Sequence, residues 1–222
     1  MAILKPIPVI IFLGPPGAGK GTQASRLSRS RNIPKISTGD ILRNAVLHDT
    51  ELGRKVKGIM NSGGLVDDET MLSLVKERTS RPDCRIGFIL DGYPRNLKQA
   101  KQLEPVLDPD MHICAIQIDV SVDEVVKRVS GRRTCPQCNR IYNTYFYPPQ
   151  NDEKCDDDGA GLYRRNDDSE EVVRKRLATY KRETYPLIKY YKEQGVLRVV
   201  DGSQPEEEVA KEIEDCLESL IC

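Results

Sequence analysis

The chain has 222 residues, 38% hydrophobic and 31% charged, with 34 Lys and Arg balancing 34 Asp and Glu. That length and composition suit one substantial globular domain and argue against a disordered chain or a general coat for nucleic acid or an acidic membrane. No apolar run reaches the ~18–20 residues of a membrane span, and seven cysteines, an odd number, argue against a fully paired secreted framework, so the expected setting is cytoplasmic.

The amino-terminal MAILKPIPVIIFL has the lysine and apolar residues of a secretory signal, but Pro6 and Pro8 interrupt it and a glycine-rich loop follows instead of a cleavage site. It reads instead as leading into a buried first strand from about Pro8 to Leu13. Further short runs, apolar on both faces, fall at 88–90, 113–118 and 196–200, with a weaker one at 33–36. Strands covered on both sides are the habit of parallel sheets. Helical patterns lie between them at 19–30, 39–48, 67–80, 96–107, 122–130 and 169–193. The last helix spans 205–220, with Ser203 as its cap and Pro205 in its first turn. Strands alternating with helices specify an α/β fold, a five-stranded parallel sheet flanked by helices. The segment 134–165, rich in Pro, Asn, Asp, Gly and Tyr, has no helical period and is too long for an ordinary loop, so it is a lid or an inserted lobe.

After the first strand comes Gly14-Pro-Pro-Gly17-Ala18-Gly19-Lys20-Gly21-Thr22. The Gly-x4-Gly-Lys core, between strand and helix, is the P-loop pattern, in which backbone N–H groups and a helix amino terminus cradle phosphates. Lys20 supplies a positive charge at the β and γ phosphates. Gly21 departs from the pattern, because it lacks the hydroxyl that ordinarily ligates Mg²⁺; Thr22 can bond a phosphate oxygen. Asp91, ending the run 88–90 at the carboxyl edge of the sheet, is the natural candidate to hold Mg²⁺ through water. Asp40 is a second candidate, and for each of the two the alternative is a cap or turn residue.

Within 134–165, Cys135-x2-Cys138 precedes Cys155-x2-Asp158 by 16 residues. Paired knuckles at this spacing point to a structural zinc site of three thiolates and one carboxylate. Asp158 fits the spacing, with Asp156 and Asp157 as neighbours. Cys84, Cys114, Cys216 and Cys222 show no ligand spacing; Cys114 reads as core and Cys222 as exposed. His48 and His112 have no partners in sequence.

The segments GPPGAGKGTQ (14–23), STGDILR (37–43), LDGYPRNLKQ (90–99), GRR (131–133) and RNDD (165–168) occur in this order, and with them the whole chain resembles the adenylate kinase family in its long-lid form. The resemblance implies reversible phosphoryl transfer from MgATP to AMP, giving two ADP. It implies a core P-loop domain (1–36, 67–130 and 169–222), an AMP-binding lobe (37–66) and a zinc-bearing lid (131–168), both of which close. By the same resemblance Thr38, Arg43, Leu65, Val66, Gly92, Arg95, Gln99, Arg165 and Arg176 bind AMP. Residues 17–22, Arg128, Arg132 and Gln204 bind ATP, and Lys20, Arg95, Arg132, Arg165 and Arg176 serve catalysis. Asp167 and Asp168 match an acidic pair whose contacts accompany closure. The family is commonly monomeric, and neither nucleic acid nor membrane is an expected partner.

The residue chemistry agrees. Arginine forks match phosphate dianions, and the Gln99 amide offers an adenine edge both a donor and an acceptor. Arg133, Arg140 and Arg164 lack motif support and read as surface or lid-packing charges. Competing readings are a kinase for another monophosphate, a zinc-ribbon nucleic-acid binder built on 134–165, and an inactive P-loop scaffold. The acids Asp152, Glu153 and Asp156 to Asp158 make that lobe a poor phosphate surface. The last 22 residues hold 8 acids and one base, leaving 26 acids and 33 bases in the other 200, so overall neutrality conceals a basic body.

Overall fold

In a computed structural model, which describes residues 7–221, strand β1 (Ile7–Leu13) turns Val9, Ile11 and Leu13 to one layer of the core and Ile10 and Phe12 to the other. All five are buried. The expectations for Pro6 and Cys222 lie outside the described residues. Next in chain order come α1 (Lys20–Arg31), β2 (Lys35–Ser37), α2 (Thr38–Leu47), α3 (Glu51–Asn61), α4 (Asp68–Thr79), β3 (Phe88–Asp91), α5 (Leu97–Leu103), β4 (Met111–Asp119) and α6 (Val122–Ser130). The hairpin β5 (Arg132–Thr134) and β6 (Ile141–Asn143) leads to α7 (Glu170–Thr179), α8 (Pro186–Glu193), β7 (Leu197–Asp201) and α9 (Glu206–Ile221).

The main sheet is parallel throughout, in the order β2-β3-β1-β4-β7. Helices α1 and α9 cover one face through Ala24, Leu27, Val209, Ile213 and Leu217. The other face carries α4, α5 and α8, through Met71, Val75, Leu103, Leu187 and Tyr191. Each such aliphatic side chain, fully buried, contributes roughly 1.5–3 kcal/mol, and two dry faces account for the unbroken apolar runs. From β1 the chain moves to β2 on one side; from β3 it crosses β1 to β4 on the other. The carboxyl ends of β1 and β3 therefore flank a crevice, the place where such sheets bind ligands.

Local chemistry sets the helix starts. Side-chain oxygens of Ser37, Thr50, Asp67, Asn96, Ser121 and Ser169 accept from backbone N–H groups three residues on. Ser37, not Asp40, is thus the cap of α2. Ser203 caps nothing: its N–H and hydroxyl donate to Asp201 Oδ1 (2.9 and 2.6 Å), and α9 starts at Glu206. The helix expected over 96–107 ends at Leu103, where Pro105 tightens the chain into a 3-10 turn, Glu104–Val106. The helix expected over 169–193 is divided by a π turn, Tyr180–Thr184, because Pro186 has no N–H to continue the ladder; Tyr185 N–H donates to the Tyr180 carbonyl at 2.8 Å.

Helix α3 was not anticipated. It meets α2 at Gly53, where an added Cβ would collide with the Ala45 carbonyl oxygen. The segment after β5 folds as a small lobe around Cys135, Tyr142 and Cys155, its own buried cluster. Among the described residues no helix is long and apolar enough to cross a membrane.

Candidate active site

Gly14 leaves β1 at φ 142°, and a Cβ there would press to 2.6 Å from the Ile118 carbonyl oxygen. Only glycine permits this turn, which sends the chain around the crevice and into α1 at Lys20. The amino end of α1 faces a cavity of 510 Å³. Lys20 Nζ donates to the carbonyls of Gly14 (2.8 Å) and Pro15 (2.7 Å). Burial pushes its pKa down to about 7; Asp91 opposes the shift, and Arg95, Arg176 and Arg132 add to it.

At Gly21 a Cβ would lie 3.2 Å from Asp91 Oδ2 and 3.8 Å from Lys35 Nζ. The space of the usual P-loop hydroxyl is therefore taken by a carboxylate from the end of β3. The carboxylates of Asp91 and Asp40, hard oxygen donors on one cavity, suit a hydrated Mg²⁺. Asp40 Oδ1 accepts from Arg43 Nη2. Burial raises its pKa, but Arg43 and then Lys35 outweigh that and hold the group below the ordinary carboxylate range.

Arg95, in the loop after β3, is oriented by Nε donating to the Gly92 carbonyl (2.8 Å), while the Thr184 hydroxyl donates to the Arg95 carbonyl (2.7 Å). Arg132 is buried and forks onto Asp168, with Nε to Oδ2 at 2.8 Å. Arg176 pairs with Asp167 at 2.9 Å and lies 3.5 Å from Asp168. Arg165 Nε donates to the Thr134 hydroxyl (2.9 Å). Burial lowers Arg165 and Arg176 to about 10 each, with neighbouring guanidinium groups adding to the fall. Closely spaced, desolvated cations of this kind are a site prepared for polyanions.

A second cavity of 60 Å³ adjoins the first and is lined by Thr38, Leu42, Val66, Met71 and Gln99. Gly39, Arg43, Gly63, Leu65, Arg95 and Arg176 line both. Gly17, Ala18, Gly19, Lys20, Gly21, Thr22, Gly92, Arg128, Arg132, Arg165 and Gln204 line the larger one. Every nucleotide-site residue named from the sequence thus borders one cavity or both.

Several partners differ in detail from the sequence reading. Both ends of the Gln99 amide are engaged: Oε1 accepts from Arg95 N–H (2.8 Å), and Nε2 donates to Asp68 (2.9 Å). One amide proton and one lone pair remain for a base. Arg128 pairs with Glu124 and donates to the Gly202 carbonyl at 2.7 Å. Arg133 donates to the Arg132 carbonyl and Arg164 to the Asp168 carbonyl; Arg140 pairs with Asp157 and lies 5.0 Å from the Tyr142 ring centroid. Lys35 lines the larger cavity, as do Ile141, Phe146 and Tyr147 of the lobe, and the sequence reading passed over all four. The alternation in β2, which puts Lys35 beside Ser37, was the available signal for the lysine.

The lobe packs over the crevice: Ile141 Cδ1 would be 3.6 Å from a Cβ on Gly21, and Glu206 N–H donates to the Tyr147 hydroxyl at 3.2 Å. Within the lobe Cys135, Cys138, Cys155 and Asp158 bring one ligand atom each within 4.8 Å of one another. Cys138 and Cys155 sulfurs are 3.5 Å apart, and Cys135 Sγ is 3.2 Å from Asp158 Oδ2. Ligands at about 2.3 Å around a tetrahedral zinc lie roughly 3.7 Å apart, so the group fits that ion. Asp156 instead accepts from Gln150 N–H (2.9 Å), and Asp157 binds Arg140. Cys84 and Cys114 are buried elsewhere and Cys216 is half-buried.

A family model described as adenylate kinase matches residues 12–196. Adenylate kinase from Archaeoglobus fulgidus is 53% identical over 213 residues, covering 95% of this chain and 98% of the relative. Adenylate kinases from Thermodesulfovibrio yellowstonii and Petrotoga mobilis are 48% and 50% identical, covering 92% and 95% of this chain and 96% and 98% of their own lengths. The parallel sheet with a P-loop at its crevice and these similarities define the class, an enzyme of the nucleoside monophosphate kinase type. The chain belongs to the adenylate kinase family.

Proposed function

We propose that the chain transfers the γ-phosphoryl group of MgATP to AMP, reversibly, giving two ADP. One observation carries the reading: two unequal cavities adjoin and share Arg43, Arg95 and Arg176, so two phosphorylated ligands can meet on one set of guanidinium groups. In this reading ATP occupies the larger cavity. Its phosphates lie along residues 17–22 with Lys20, Arg132 and Arg165, and its base lies near Arg128 and Gln204. AMP occupies the smaller one, against Thr38, Leu65, Val66 and Gln99, with its phosphate toward Arg43, Arg95 and Arg176.

The AMP phosphate is already an anionic nucleophile, so no side chain need remove a proton. The protein's task is to align two polyanions in line, exclude water and offset charge on the group in transit. Lys20 and the arginines supply that charge from fixed positions. Asp91 and Asp40 would hold Mg²⁺ through water, and the ion supplies further charge neutralisation on the phosphates. Cys135, Cys138, Cys155 and Asp158 would hold a structural zinc, which stabilises the lobe without an open ligand position. The lobe 131–168 acts as a lid that keeps water from the transferring group, 37–66 forms the AMP lobe, and the remainder is the core. A monomer is the working unit in this reading.

A coupled assay of ADP formation across AMP, GMP, CMP and UMP tests the reading. AMP should be strongly preferred, and Arg95→Ala should lower turnover by roughly two orders of magnitude or more with the fold intact. Equal rates on another monophosphate, or near-normal turnover in the variant, would sink the assignment.

A further inference from the structure

Strand β2 is three residues long, and its alternation carries Lys35 and Ser37 to the side of the glycine loop while Ile36 enters the core. Lys35 Nζ ends in a nest of oxygens. It donates to the Gly21 carbonyl (3.2 Å) and the Ser25 hydroxyl (3.0 Å), both on α1. It lies 3.7 Å from Asp91 Oδ2 and 3.9 Å from Asp40 Oδ2. Its side chain is 17% exposed. The ammonium therefore sits beside the position where Gly21 leaves out the usual hydroxyl, between one carboxylate from the end of β3 and one from the first turn of α2.

Two carboxylates facing one phosphate cavity repel an incoming nucleotide unless a cation offsets them. The contacts to Asp91 and Asp40 are longer than hydrogen bonds, so the lysine offsets their charge without using up their lone pairs. Those lone pairs stay available to the water shell of a divalent ion. A lysine on a flexible stem is suited to this role, since it is a compact charge that can withdraw by a rotamer change.

We propose that Lys35 is a positioning residue and built-in counter-cation: it holds Asp40 and Asp91 against the first turns of α1, screens them from phosphate, and gives up that role when a divalent cation arrives with the nucleotide. This rests on the reading of Asp91 and Asp40 as water-mediated magnesium ligands. Removing the charge should then have opposite effects on metal-free and metal-loaded binding. A direct phosphate contact would weaken both alike.

The test uses the full chain, a non-transferable bisubstrate analogue and Mn²⁺ as the metal probe. In Lys35→Met, which keeps the stem, calorimetry with a chelator present should show analogue affinity lowered roughly tenfold. Mn²⁺ affinity of the enzyme–analogue complex, read by electron paramagnetic resonance, should rise severalfold. Lys35→Arg should restore both toward the parent values, and a melting curve establishes that each variant is folded. Unchanged affinities in folded Lys35→Met, or an equal fall with and without metal, would overturn the proposal. Asp91→Asn separates the underlying reading: it should weaken Mn²⁺ binding, and unaltered Mn²⁺ affinity there would remove the magnesium assignment and the proposal together.

Discussion

Lys20 shows how far a single side chain can be displaced from its ordinary chemistry. With its pKa pushed to about 7 by burial, it is partly neutral at physiological pH until a phosphate reaches it. Phosphate contact favours the charged form, so nucleotide binding raises that pKa and takes up a proton wherever the free lysine is neutral. Binding is therefore fully supported below pH ~7 and weakens as pH rises through it, by up to about tenfold per unit until the bound-state value is reached. Calorimetry at about pH 8.5 in buffers of different ionisation enthalpy should show uptake approaching one proton, and Lys20→Arg, which stays charged, should abolish it. No uptake in the parent chain, or equal uptake in the variant, would contradict the shift. Lys20 itself was legible in the sequence because its signal is local, a fixed spacing between strand and helix. Lys35 was not, because Asp91 reaches it only through the register of β2 with β3, and Asp40 only through the turn from β2 into α2.

Among the elements, α3 was overlooked although Leu52, Val56, Ile59 and Met60 stand at helical spacing. Its two glycines obscured a helix that buries only Gly53 and Val56, although Thr50 followed by Glu51 was a usable start signal. Its two glycines also separate two roles. Gly53→Ala would drive a Cβ against the Ala45 carbonyl, and a loss of at least about 1–3 kcal/mol is expected from chemical denaturation. Gly58 faces open space in the same helix, so Gly58→Ala should stabilise by up to about 1 kcal/mol. Equal behaviour of the two variants would refute the close crossing of α2 and α3. The central strands β1, β3 and β4, by contrast, were legible, since burial on both faces leaves a contiguous apolar mark; β2, expected at 33–36, forms instead at Lys35–Ser37 with only Ile36 buried. Helix ends were less so: Pro105 and Pro186 act through the hydrogen-bond ladder, which a count of apolar spacing does not register.

At the scale of the molecule, the lobe over the crevice has a thin core of its own, chiefly Cys135, Tyr142 and Cys155. A metal can supply what that core lacks. Protein prepared without chelators should carry about one zinc per chain by elemental analysis, and stripping it should lower the melting temperature by roughly 10 °C, the equivalent of a few kcal/mol at this chain length. Turnover should fall with it, as the lid disorders. Zinc-free protein that melts unchanged would dispose of the site. The spacing of the cysteines made this group readable in advance, and the choice among three successive aspartates awaited the turn that directs Asp157 to Arg140 and Asp158 to the thiols.

The strand order has a consequence for how copies of the chain behave together. Its margins are β2, three residues long and followed at once by a helix, and β7, five residues long with Arg198 as its second residue and Asp201 as its last. A sheet's margin is a template of unpaired N–H and C=O groups on which a foreign strand can dock, and short or charged margins deny it a foothold. The long, sticky β1 and β4 lie inside, each paired on both sides. The sheet therefore ends where it ends, and a crowded population of these molecules has little backbone through which to stitch itself into fibres.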